Sequence, residues 1–93
     1  MLGRKFFLPF DSVVNFLIAF NRSQTKDKTT LRTLRYIFNL ASARGDKFGF
    51  EFFKHLCRVP LTTRQIRKSA RKLVSFVSAE EITALITAEQ PAE

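Results

Sequence analysis

A chain of 93 residues that is 45% apolar, with a mean hydropathy of -0.07, has the make-up of one small folded domain, too apolar for disorder and too short for two cores. Sixteen Lys and Arg against eight Asp and Glu leave a formal charge of +8, which suits polyanionic partners. The single cysteine, Cys57, excludes an internal disulfide framework and fits a reducing, cytoplasmic setting; with His55 as the only histidine, no four-ligand zinc set exists and no cofactor is expected.

Residues 1–10 are expected to form an N-terminal arm. The opening "MLGRKFFLPFDSVVNFLIAF" has the outline of a signal peptide, but Asp11 and Asn15 interrupt the apolar run and no small-x-small cleavage site follows it. A membrane span needs about 20 consecutive apolar residues, so stable insertion is not expected. Arg4 and Lys5 beside Phe-rich sequence leave room only for a peripheral surface contact.

Asp11 or Ser12 caps a first helix over 11–22, in which Val13, Val14, Phe16, Leu17, Ile18 and Phe20 leave only a thin polar strip. A helix apolar nearly all round belongs in the centre of a core. Polar residues over 23–28 then read as a loop. Thr29 or Thr30 opens a second helix that stops near Gly45. Leu31, Leu34, Ile37, Phe38 and Ala41 share one of its faces; Arg32, Arg35, Asn39 and Ser42 share the other, with Tyr36 and Leu40 on a flank.

Residues 48–58 are ambiguous. Phe48, Phe50 and Phe52 alternate as in a strand, while Phe52, Phe53, Leu56 and Cys57 recur as in a helix. A helix is chosen because a lone short strand has nothing to pair with, and Val59 before Pro60 ends it.

The stretch "TTRQIRKSARKLVSF" carries the functional signal. Thr62 and Gln65 have the spacing of a capping box, and Ile66, Ala70, Leu73, Val74 and Val77 occupy about a third of the circumference of a helix over 62–77. Arg64, Arg67, Lys68, Arg71 and Lys72 fill the opposite arc. Ser78 and Glu81 repeat the capping pattern before a last helix over 79–89, with residues 90–93 as a tail. The expected fold is therefore all-α, a single bundle of four to five short helices spanning 1–93, with residues 48–76 a helix-turn-helix-like unit in its most specific version. The connection "RVPLTT" is long for such a turn and lacks its usual glycine.

Catalysis has no constellation to rest on. His55 and Cys57 stand two apart and do not face each other on a helix, the three glycines make no phosphate loop, and Glu80 with Glu81 is explained by helix capping. Charge is distributed to suit binding instead. All 16 basic residues lie within residues 1–77 alongside only four acidic ones, and no acidic residue occurs from 52 through 79.

The expectation is a non-enzymatic DNA- or RNA-binding protein that uses Arg64, Arg67, Lys68, Arg71 and Lys72, extended by Arg32, Arg35 and Arg58. The alternative is a small modulator of an acidic or DNA-handling protein, of the kind phages and plasmids encode. It would dock through some of the eleven Phe and neighbouring apolar groups, with Phe6, Phe7, Phe10, Tyr36, Leu40 and Phe76 as candidates, or pair as a homodimer. A solvated basic face with no ligand is the plain competitor to both.

Overall fold

The computed structural model describes residues 8–88, which form five helices and no strand. The first, α1 (Pro9–Arg22), begins two residues before the expected Asp11, because Pro9 occupies the first turn, where its missing N–H is no loss. Asp11 sits in that first turn and Arg22 in the last, each on the favourable end of the helix dipole. The arm expected over 1–10 thus gives up Pro9 and Phe10 to α1, and the rest of it lies outside the described residues apart from Leu8. The far end of α1 is closed by Lys26, whose ammonium donates to the carbonyls of Phe20 (2.6 Å), Asn21 (3.1 Å) and Ser23 (2.6 Å).

Helix α2 (Lys28–Ala43) also starts earlier than expected. Its cap is Asp27, whose Oδ2 accepts from the Thr30 amide at 3.0 Å and the Thr30 hydroxyl at 3.1 Å. It stops where the sequence places the stop. Gly45 has φ 113°, the left-handed conformation, and the amides of Gly45 and Asp46 return to the carbonyls of Ser42 and Ala41 in a Schellman closure.

Helix α3 (Gly49–Arg58) resolves the helix–strand ambiguity for the helix, and Asp46 starts it: its Oδ1 accepts from the amides of Phe48 and Gly49, both at 3.1 Å. Helix α4 (Thr63–Leu73) has the full capping box, with Gln65 N–H to Thr62 Oγ1 at 3.0 Å and Thr62 N–H to Gln65 Oε1 at 2.8 Å. It ends at Leu73, four residues short of the expected Val77. Residues 74–76 form a turn held by Ser75, whose hydroxyl donates to the Lys72 carbonyl at 2.6 Å, and the turn delivers Val77 into the core. In α5 (Ala79–Ala88) Ser78 accepts from the Glu81 amide at 3.1 Å, but the Glu81 carboxylate pairs with Arg44 in place of closing the box.

Helix α1 is central, as its nearly uniform apolar surface requires: it packs against α3, α4 and α5, while α2 packs against α3 and α5. Val14, Ile37, Phe38, Leu56, Ile66 and Val77 are fully buried between them. Phe38 organises the α2–α3 contact, stacking on Phe53 (centroids 5.2 Å) and meeting Phe52 edge-on (5.9 Å). No helix among the described residues is long and apolar enough to cross a membrane.

Candidate nucleic-acid interface

The five basic residues of α4 divide between two flanks of the helix. Ile66, Ala70 and Leu73 are buried, which fixes the rotation of α4 on the core. At about 100° per residue, Arg67 and Arg71 then fall on the side of α1, Lys68 and Lys72 on the side of α3, and Arg64 on the crest. The contacts agree. Arg67 Nη1 lies 3.6 Å from Asp11 Oδ1, and the Arg71 guanidinium sits 5.4 Å from the centroid of the Phe10 ring.

Arg67 and Arg71 are thus partly engaged by their own fold. Among the described residues, Arg64, Lys68 and Lys72 have no carboxylate within ion-pairing distance. All five side chains remain exposed, so the ridge is basic along its length, with its uncompensated charge on the crest and the α3 flank.

The other expected cations are not gathered onto this ridge. Arg32 and Arg35 are exposed on the outer face of α2, which packs on α3 and α5. Arg58 ends α3 and shares a hollow of about 250 Å³ with Asn21, Arg22 and Lys26 around the close of α1. Arg22 donates from there to Thr63 Oγ1 at 3.3 Å, tying that corner to the start of α4.

The expected aromatic patch is described only in part. Phe6 and Phe7 lie outside the described residues. Phe10, Leu40 and Phe76 are half-buried and pack on the core. Among the described candidates, Tyr36 alone projects freely, 55% exposed, from α2.

The prominent exposed ring is one the sequence reading did not single out: Phe48, 72% exposed at the start of α3. Its signal was present, since Phe48, Phe52 and His55 are spaced i, i+4, i+7 and so line up along one side of α3. The strand-like alternation of Phe48, Phe50 and Phe52 concealed that stripe. Gln65, Lys68, Ser69 and Lys72 form the matching line on α4.

Between the two lines runs a groove. Its wider part, about 300 Å³, is bounded by Phe48, Phe52, His55, Leu61, Gln65, Lys68 and Ser69. A smaller hollow of about 80 Å³ shares Phe48, Phe52 and Ser69 and continues to Lys72 and Asp46. The connection between α3 and α4 is four residues, 59–62, a length a helix-turn-helix allows. The two helices nevertheless pack on other elements, α3 on α2 and α1 and α4 on α1, and leave the groove open between them.

His55 faces this groove, whereas Cys57 is half-buried and lines the Arg58 hollow, so the two do not meet. Among the described residues no three His, Cys, Asp or Glu converge to hold a metal ion. Compared with protein-family models, characterised proteins and solved structures, the chain shows no significant match to any of them.

Proposed function

We propose that this chain is a non-catalytic nucleic-acid-binding domain that holds the phosphate backbone along the exposed ridge of α4. The observation that carries this reading is the run Arg64, Lys68 and Lys72, three cations on one side of a rigid helix with no carboxylate partner among the described residues. An ordinary solvated helix interleaves both signs, which limits self-repulsion. Here no acidic residue occurs between Glu51 and Glu80 to do so. Each phosphate neutralised on such a ridge releases counterions, which supplies affinity without reading sequence.

Support also comes from the setting of the ridge. Its helix is capped at the N-terminus by a complete box and buried along its inner face, so the cations are presented from a fixed scaffold. The test is a titration of the nuclease-treated protein into labelled duplex and single-stranded oligonucleotides across a range of salt. The expected result is micromolar or tighter binding near physiological salt, a steep log–log salt dependence, and loss of affinity in the triple variant Arg64→Gln, Lys68→Gln, Lys72→Gln. Binding no stronger than that of an unrelated protein of equal charge would reject the proposal and favour a protein partner.

A further inference from the structure

We infer that the α3–α4 groove receives an unpaired base of a single-stranded nucleic acid, with Phe48 as the stacking platform and Lys68 and Lys72 holding the adjoining phosphates. This deepens the nucleic-acid reading and rests on it. The starting observation is that a Phe 72% exposed at the mouth of a groove is an apolar surface the fold leaves unused. The backbone that carries the ring is held in place from below. Asp46 binds the Phe48 and Gly49 amides, and α3 beneath it is anchored through Phe53 and Leu56.

The surroundings select the occupant by charge. The wider part of the groove has Lys68 on its rim, with His55 and Gln65 as polar groups and no carboxylate among the described residues that line it. The one carboxylate of the narrow part, Asp46, already has an oxygen committed to two backbone amides. A volume of about 300 Å³ lies at the small end of ligand clefts and has room for a planar ring against Phe48 and Phe52.

Duplex bases present only their edges, whereas an unpaired base offers a π-face to an aromatic ring while its phosphates follow the neighbouring cations. Lys68 and Lys72 are one helical turn apart on the flank that faces Phe48, so one strand can meet ring and charges together.

The test uses the full chain and fluorescence anisotropy with labelled oligothymidine, oligouridine and a duplex of matched charge. Phe48 is so exposed that Phe48→Ala leaves the fold intact, which circular dichroism checks. The expected result is roughly a tenfold or greater loss of single-strand affinity in Phe48→Ala, recovery in Phe48→Tyr, an unchanged salt slope, and no change for duplex.

Equal single-strand affinity in wild type and Phe48→Ala, with salt-dependent binding retained by both, would overturn the groove assignment and leave the ridge standing. Absence of binding to every probe would overturn both. Self-association in sedimentation that Phe48→Ala abolishes, with oligonucleotide affinity unchanged, would assign the groove to a second copy of the chain and likewise overturn the inference.

Discussion

Asn21, on the last turn of α1, accepts a hydrogen bond at 3.0 Å from the amide of Leu61, forty residues later in the chain. Its Nδ2 donates at the same time to the carbonyls of Leu56 (3.0 Å) and Val59 (2.9 Å). One side chain thus satisfies three backbone groups, one in the last turn of α3 and two in the α3–α4 connection, where Pro60 removes an amide donor. The clamp ties the end of α3 and the connection that leads into α4 to the close of α1.

Removing it is expected to cost more than an average polar substitution. Asn21→Ala leaves the Leu61 amide and two carbonyls short of partners and should lower unfolding stability by about 2 kcal/mol. Asn21→Asp keeps the acceptor but sets a carboxylate against two carbonyl oxygens, so it should be at least as damaging. Urea denaturation of both variants measures this; stability equal to wild type in both would show that the clamp carries no weight.

Gly49 and Asp46 should behave as a coupled pair. A Cβ on Gly49 falls 2.6 Å from Asp46 Oδ2 and 3.3 Å from a ring carbon of Phe38, so Gly49→Ala forces the Asp46 cap aside. Alanine is otherwise the better helix residue, by about 1 kcal/mol in a helix interior and by less at this first helical position. Gly49→Ala is therefore expected to destabilise the native background, and to cost less or become favourable once Asp46→Ala has removed the obstructing carboxylate. A double-mutant cycle reads the coupling directly, and additivity of the two changes would contradict it.

The helical architecture was legible because periodicity reports burial, except over 48–58, where two periodicities competed and the lack of a partner strand favoured the helix. The Gly45 stop, the Thr62–Gln65 box and the central place of α1 each follow from local chemistry near the residues concerned. What sequence could not reveal was tertiary. The split of the α4 cations depends on Asp11 and Phe10 arriving from α1, and the Arg44–Glu81 pair at 3.1 Å joins helices whose mutual approach no local pattern encodes. Lys26 falls in the stretch 23–28 that reads only as a polar loop, yet it is spent on three carbonyls at the end of α1. The groove was hidden for the same reason: its two walls are visible as stripes on α3 and α4, but only the packing of both on α1 makes them face each other.

Phe38 is where the aromatic core is most vulnerable. It is fully buried, stacks on Phe53 and meets Phe52 edge-on, so Phe38→Ala opens a cavity that three helices line. The expected loss is about 3–5 kcal/mol, enough to unfold much of a small domain whose whole stability is on the order of 5–15 kcal/mol. Phe38→Leu keeps most of the volume and should cost distinctly less. Thermal melts followed by circular dichroism distinguish the two; similar midpoints for both variants would mean that the ring stacking, not the volume, is what matters there.

The two flanks of α4 give the most direct separation of binding from stability. Arg67 and Arg71 lean on Asp11 and Phe10, so the double change Arg67→Gln, Arg71→Gln removes native interactions as well as charge. Both interactions are half-exposed, and their removal should cost no more than about 1 kcal/mol each. Lys68→Gln with Lys72→Gln removes the same charge from the groove side, where no carboxylate in the described structure pairs with it, and should leave stability within about 0.5 kcal/mol of wild type. On oligonucleotides the order should reverse. The lysine pair faces the exposed ring and should lower single-strand affinity more than the arginine pair, and each phosphate left without its cation should reduce the log–log salt slope by about 0.7. Both effects come from one pair of double variants measured by denaturation and by salt titration. Equal affinity losses from the two flanks would mean that the ridge acts as an undivided field of charge, with the bound strand indifferent to the side on which Phe48 stands.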